Sequence, residues 1–409
     1  MRASAACLLL LLGSSAAQAA ADKQAFEEIA RGRYLAIAGD CAGCHNAPGG
    51  APYAGGLPIE TPFGTLVSPN ITPDRETGIG AWTDDEFVNA MQDGIRRGGE
   101  HLYPAMPYTY YTKATRKDVL AIRAYLETVD PVHNEVKVNQ LPFPFNVRAS
   151  MVGWNELYFK RGTFELVAGK SDEWNRGAYL IEGLGHCGLC HTAKNAMGGD
   201  ETTRALQGSA LQGWYAPNLT GDPRTGLGSW SVEEVIAYLK TGHNNASAAT
   251  GPMSDVIVHS TSQMTDADLR GVAVYLKNQP AANGESPRPV SAEDRMMRAG
   301  EAIYLDNCAA CHTSAGTGIP QLFPALKGSP SVQSTNPASV IRVVLRGAQS
   351  VATDPAPTAP SMPALGWKLS DSEVAAVVTY IRNSWGNAAS PVVASDVASA
   401  RQQLSQRSD

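Results

Sequence analysis

Three five-residue runs carry most of the chemistry legible in this sequence. They are CAGCH at Cys41–His45, CGLCH at Cys187–His191 and CAACH at Cys308–His312. Each sets two thiols three residues apart, with an imidazole directly after the second. Thiols this close could bind zinc, exchange disulfides or hold a haem. C-x-x-C-H is the attachment signal for haem c. The two thiols add to the two vinyl groups of one porphyrin, and the adjacent histidine is thereby placed under the iron. A structural zinc site wants four ligands from two such pairs, and three pairs do not divide that way. A redox C-x-x-C needs a βαβ context that the sequence does not offer. Structural disulfides would not all fall at this spacing with histidine after each. Cys41, Cys44, Cys187, Cys190, Cys308 and Cys311 are therefore expected to hold three haems c covalently. His45, His191 and His312 are the expected proximal iron ligands.

Histidines flank the middle cysteine pair on both sides. Asp40 and Asn307 stand where His186 would be in the other two motifs. Attachment therefore does not require a histidine there, and His186 is expected to be a local hydrogen-bonding or surface residue.

An iron with histidine on one side needs a second axial donor, or it stays open for chemistry. Methionine is a soft thioether that favours reduced iron. Of ten methionines, three sit in proline-marked loops: Met106 in YPAMPY, Met253 in TGPMSD and Met362 in APSMPA. They follow the proximal histidines by 61, 62 and 50 residues. Proline restricts the backbone, so such a loop stays extended and can present a side chain inward. These three are the expected distal ligands. Bis-histidine ligation is the rival, with His101 and His243 as competitors in the first two repeats. They align less well than Met106 and Met253, and no histidine follows His312. Three six-coordinate irons would keep substrates off the metal and serve single-electron transfer over distance. The alternatives are a multi-haem peroxidase or oxidase with one open iron, and a free-standing periplasmic carrier.

The elements that position these groups repeat as well. Ahead of each motif lies a helix-like segment with a glycine and an aromatic: Gly32 and Tyr34, Gly177 and Tyr179, Gly300 and Tyr304. Each unit closes with an amphipathic helix carrying Tyr125, Tyr275 or Tyr380, with Thr265 and Ser370 as caps of the last two. Asn70, Trp82, Glu86 and Gly94 recur 148 residues later as Asn218, Trp230, Glu234 and Gly242. There a Gly/Pro loop enters a helix capped by Thr83 or Ser231. Trp82 and Trp230 read as structural, with packing against haem or a propionate as the alternative.

Residues 24–130, 171–280 and 291–386 delimit the three repeats. Residues 131–170 are Pro-, Phe- and Trp-rich and should pack across domains or against a partner. Residues 281–290 read as a linker and 387–409 as a polar, mobile tail. Over 409 residues, 18% are charged and the formal net charge is -6 without a long basic run. Nucleic acid is therefore not an expected partner. Residues 1–19 have the pattern of a secretory signal peptide, Arg2 before an apolar run and Ala17-Gln18-Ala19 at its end. Its removal takes away Cys7 and leaves every remaining cysteine inside a motif.

At these motifs the chain resembles the tri-haem cytochrome c subunit of bacterial membrane-bound dehydrogenases, of the alcohol dehydrogenase and gluconate 2-dehydrogenase type. The middle repeat carries the likeness best, in EWNRGAYLIEGLGHCGLCHTAKN, GWYAPNLTGD, GLGSWSVEEVIAYLKTG, GPMSDVIVHST and DADLRGVAVYLKNQP. The likeness extends over about residues 24–385. It implies a mainly α fold of three tandem cytochrome-c-like domains, each with one covalent haem c. It also implies a partner dehydrogenase catalytic subunit holding PQQ or flavin, for oxidation of alcohols, aldehydes or sugar acids. Electrons would pass to ubiquinone or the membrane quinone pool of the respiratory chain. The place would be the periplasmic face of the inner (cytoplasmic) membrane, with peripheral association and no substrate-oxidising site in this chain. The tail departs from that pattern, since it lacks a strongly apolar anchor.

Overall fold

The computed structural model describes residues 24–282 and 287–406. The signal segment expected at residues 1–19 lies outside the described residues, as do 283–286 within the expected linker. The chain divides into two compact units, Met1–Phe164 and Glu165–Asp409.

The first unit opens with helix α1 at 24–38, followed by the single turn α2 at Cys41–His45. A hairpin of β1 (Pro58–Thr61) and β2 (Gly64–Val67) follows, and β3 (Asn139–Gln140) later adds to its β2 edge. Helix α3 (Asp84–Asp93) begins where the sequence places its cap. The Thr83 hydroxyl accepts the Glu86 N–H, and the Glu86 carboxylate accepts the Thr83 N–H. Short helix α4 (Tyr108–Tyr111), α5 (Arg116–Leu126) and α6 (Ser150–Tyr158) complete the unit.

The second unit holds the other two repeats. Its middle repeat comprises α7 (Asp172–Tyr179), a π-helical turn at Leu180–Leu184, and α8 (Gly188–His191). The hairpin β4 (Ser209–Leu211) and β5 (Trp214–Ala216) precedes α9 (Val232–Thr241), α10 (Pro252–His259) and α11 (Asp266–Lys277). The last repeat comprises α12 (Arg295–Asn307), α13 (Ala309–His312), α14 (Pro330–Gln333) and α15 (Ala338–Arg346). Then come paired strands β6 (Ala348–Gln349) and β7 (Ser361–Met362), α16 (Asp371–Asn383) and α17 (Ala394–Ser405). The capping box of α3 recurs on α9 through Ser231 and Glu234, and on α16 through Ser370 and Glu373.

One crossing organises each repeat. The first helix meets the last at a glycine. A Cβ added at Gly32 would stand 1.7 Å from the Ala121 carbonyl oxygen. At Gly177 it would stand 2.0 Å from the Gly271 oxygen, and at Gly300 2.3 Å from the Ala376 oxygen. Only a residue without Cβ permits this backbone approach. The tyrosine four residues further along the last helix covers the same spot, its Cβ 3.0, 2.9 and 2.7 Å away for Tyr125, Tyr275 and Tyr380. Two of the crossings are pinned by charge. Arg31 Nε donates to the buried Asp118 carboxylate at 2.8 Å, and Arg176 grips buried Asp268 through two bonds of 2.8 and 2.7 Å. In the last repeat Ala299 precedes Gly300, and Glu373 serves the cap instead.

The second and third repeats, expected over 171–280 and 291–386, both lie within the compact unit Glu165–Asp409. Arg342 lies over the Trp214 ring at 4.5 Å, and the Ser339 hydroxyl accepts the Tyr215 N–H at 2.8 Å. Arg224 donates to the Gln333 and Ala388 carbonyls. The expected mobile tail contains α17, which buries Val397 and Leu404 against α15 and α16. Arg401 fastens it to Asp371 and to the Gly366 and Leu369 carbonyls. Within 131–170, β3 and α6 fold onto the first unit with Trp154 buried, while Phe143 and Leu157 stay 81% and 72% exposed.

The glycine crossings give the first prediction. Gly300→Ala must push α12 off α16, and forced overpacking of this kind costs about 1–3 kcal/mol. Thermal unfolding followed by far-ultraviolet circular dichroism should show a clear loss of stability. A change to alanine at Gly153 in α6, where no described atom stands within 4 Å of the added Cβ and φ is not positive, is the control for the absence of steric conflict.

Candidate functional site

Each C-x-x-C-H motif forms one helical turn directly after the first helix of its repeat, and its histidine closes that turn. In all three the ring Nδ1 faces a proline carbonyl. The distances are 2.8 Å from His45 to Pro69, 2.7 Å from His191 to Pro217 and 2.9 Å from His312 to Pro324. A carbonyl only accepts, so Nδ1–H donates. The neutral ring then carries its lone pair on Nε2, where a metal ligand needs it. Burial lowers the pKa of all three histidines, with the carbonyl bond acting the other way. Burial thus favours the neutral ring.

Two of these carbonyls belong to the loops that repeat at 148 residues. Asn70 Oδ1 accepts the Thr72 N–H at 2.9 Å, and Asn218 Oδ1 accepts the Thr220 N–H at 2.8 Å. Further on, Asp74 and Asp222 each accept a backbone N–H at 2.6 Å, from Thr77 and Thr225. These side chains fix the turn that carries Pro69 or Pro217. The repeated asparagines were legible in sequence, but not their task of aiming the preceding carbonyl. Pro324 does the same work in the last repeat without an asparagine after it.

Cys308 is buried in an apolar cluster, and Cys41 and Cys187 are partly buried. Burial, then Asp40 and Cys44, pushes the Cys41 thiol up to about 12. Burial, then Cys190, takes Cys187 to about 12; burial, then Cys311, takes Cys308 to about 11. Disulfide exchange requires thiolate, which these surroundings disfavour. A neutral thioether carries no charge to desolvate and suits the same place.

The three expected distal ligands are half-buried, each in the repeat of its histidine. Met106 follows a turn closed by its own N–H on the Tyr103 carbonyl. Met362 lies in β7 opposite Ala348 and packs on the apolar cluster that includes Cys308. Met253 does not sit in an extended loop; it occupies the first turn of α10 beside Pro252 at the helix start. Proline lacks an N–H that the first turn would leave unused, so this local sequence starts a helix. The rival His243 has both ring nitrogens engaged, Nδ1 with the Thr241 carbonyl and Nε2 with Ser350 Oγ. His101 Nδ1 lies 3.3 Å from the Asn155 amide nitrogen. His186 is half-buried and donates Nδ1–H to the Leu184 carbonyl at 2.7 Å, a local hydrogen bond as expected.

The residues fit haem c. Each repeat offers two sulfurs and one imidazole with Nε2 directed away from its own hydrogen bond. In addition, the indole Nε1 of Trp230 is buried with no hydrogen-bond partner among the described residues. A buried N–H left unpaired is costly and is the kind of group an anionic substituent would satisfy. Among the described residues no helix is long and apolar enough to cross a membrane.

The Cytochrome c family model matches residues 29–130 and 297–385, the first and last repeats. The gluconate 2-dehydrogenase cytochrome c subunit of Pantoea cypripedii is 41% identical, over 96% of this chain and 94% of that one. The chain belongs to the cytochrome c subunits of dehydrogenases. Within that family, the cytochrome c subunit of the quinone alcohol dehydrogenase of Gluconobacter oxydans is 40% identical, over 90% of this chain and 81% of its own length. The fructose dehydrogenase cytochrome subunit of Gluconobacter japonicus is 38% identical, over 91% of this chain and 82% of its own. The family's haem c chemistry thus coincides with the cysteine and histidine turns found in the structure.

The two histidines beside the middle cysteine pair separate cleanly by mutation. His186→Gln should keep the visible spectrum of the oxidised and reduced protein. His191→Gln should remove the low-spin signature of one haem.

Proposed function

We propose that this chain is a tri-haem c-type cytochrome that takes electrons from a dehydrogenase catalytic subunit and delivers them to ubiquinone. Bound haem c supplies a reversible one-electron couple. Cys41 and Cys44, Cys187 and Cys190, and Cys308 and Cys311 anchor the porphyrins through thioethers. His45, His191 and His312 offer Nε2 as proximal donors. Met106, Met253 and Met362 offer their thioether sulfurs as distal donors. With a histidine and a methionine both supplied by the chain, the iron of a bound haem would have no coordination site left for substrate. The chain therefore relays electrons, and the primary oxidation belongs to its partner, a PQQ or flavin subunit acting on an alcohol, aldehyde or sugar acid. Export through residues 1–19 and peripheral attachment place the work on the periplasmic face of the inner membrane.

The observation that carries this reading is the threefold Nδ1–H to proline carbonyl bond after a cysteine pair. The dehydrogenase partner is supported by the relatives named as cytochrome subunits of gluconate, alcohol and fructose dehydrogenases. The quinone is supported by the names of the quinone alcohol dehydrogenase relatives from Gluconobacter oxydans, Gluconacetobacter polyoxogenes and Komagataeibacter europaeus.

Two measurements test it. Carbon monoxide added to the undamaged reduced protein should leave the spectrum unchanged; strong binding at one haem would instead favour a peroxidase or oxidase. The tagged chain, isolated gently from host membranes, should bring a dehydrogenase subunit with it, and the complex should reduce a soluble ubiquinone analogue. Isolation as a stable monomer without quinone reactivity would make it a free-standing carrier.

A further inference from the structure

The second and third repeats meet where the second repeat presents Met253. Two separate contacts converge there. The first runs through Trp214 on β5. Arg342 of α15, itself buried, lies over one face of that indole at 4.5 Å. Against Trp214 also rests Gly251, where an added Cβ would stand 2.5 Å from the indole Cε2 and Cζ2. Gly251 has φ 61° and leads directly into Pro252 and Met253. The indole is thus in contact both with a guanidinium of the third repeat and with the backbone that introduces Met253.

The second contact is direct. Val351 belongs to the third repeat by sequence, yet it is 4% exposed within an apolar cluster with Ala249 and Ile257 of the second. Met253 and Tyr238 pack on that cluster. Room for Val351 is made by Gly242 at the end of α9, where a Cβ would come within 2.0 Å of Val351 Cγ2. Ser350 secures the approach. Its hydroxyl donates to His243 Nε2 at 2.5 Å, because His243 Nδ1–H is already spent on the Thr241 carbonyl. Its backbone N–H donates to the Pro360 carbonyl.

The strip that carries Val351 begins with β6, and β6 pairs with β7 through Ala348 opposite Met362. One short segment therefore supports Met362 at its start and the Met253 cluster three residues later. Interiors this tightly packed transmit displacement, since they have few voids to absorb it.

We propose that the third repeat holds Met253 in its ligating position, with Val351 and the Arg342–Trp214 stack as positioning residues for the distal ligand of the second repeat. This rests on the reading of Met253 as that ligand. The third repeat then tunes the potential of its neighbour's haem as well as its own. Loosening the contact lets the thioether withdraw, and loss of a thioether donor lowers the potential of the haem it served.

The test uses the full chain with its haems attached. Val351→Ala, Met253→Ala and Met362→Ala are compared by potentiometric titration and by the charge-transfer absorption of methionine-ligated ferric haem. Met253→Ala and Met362→Ala each identify one of the three midpoints. Val351→Ala should lower the midpoint identified by Met253→Ala, weaken its charge-transfer band and spare the one identified by Met362→Ala. A merely structural role in the third repeat would move the Met362 midpoint, or none, and would overturn the proposal. If Met253→Ala itself changes nothing, the ligand assignment fails first and the proposal falls with it. Should Val351→Ala lose haem, Ser350→Ala removes one hydrogen bond without apolar volume. It must then lower the same midpoint, and an unchanged midpoint overturns the proposal.

Discussion

Backbone contact between two helices is the constraint on which the rest of each repeat depends. At Gly32, Gly177 and Gly300 a methyl group would overlap a carbonyl oxygen of the last helix. The glycines therefore let the helices cross at the shortest distance two backbones allow. Each first helix ends shortly after that crossing, so the cysteine turn emerges at a fixed place beside the last helix. The tyrosine on the last helix closes over the contact, and in two repeats an arginine paired with a buried aspartate locks it. Glycine inside a helix is unfavourable by roughly 0.5–1 kcal/mol relative to alanine. Its presence at all three crossings is explained by this geometry and not by local propensity.

What the crossing positions, hydrogen bonding then prepares. An imidazole free to rotate could present either nitrogen. Here the proline carbonyl takes the Nδ1 proton in every repeat, which selects the tautomer and sets the plane of the ring together. Burial keeps the ring uncharged, and the same burial keeps the neighbouring sulfur neutral. Polar work is thus assigned to backbone carbonyls, leaving the side-chain donors for the cofactor.

Much of this was written in the sequence. The motifs and their repetition are legible from local spacing, and so are the caps at Thr83, Ser231, Thr265 and Ser370 and the helix glycines, which the structure bears out. What escaped depends on contacts between distant residues. Strands of two to four residues leave too short an alternation to be recognised. The final helix looks polar because it buries little beyond Val397 and Leu404, seven positions apart on one face. The fusion of the last two repeats rests on single residues such as Arg342 and Val351, which have no signature of their own. Pro252 by local pattern suggests an extended loop, while in the structure it starts a helix. For the haem sites themselves, residue types were legible and the aiming carbonyls were not.

The central claim is that three haems are held, one at each cysteine pair. Intact mass of the chain purified from a host competent in haem attachment, followed by peptide mapping, addresses it directly. The account predicts the mature chain plus three haems, with one haem on each peptide containing Cys41, Cys187 or Cys308. A chain carrying fewer, or one whose Cys187 peptide is unmodified, would contradict it.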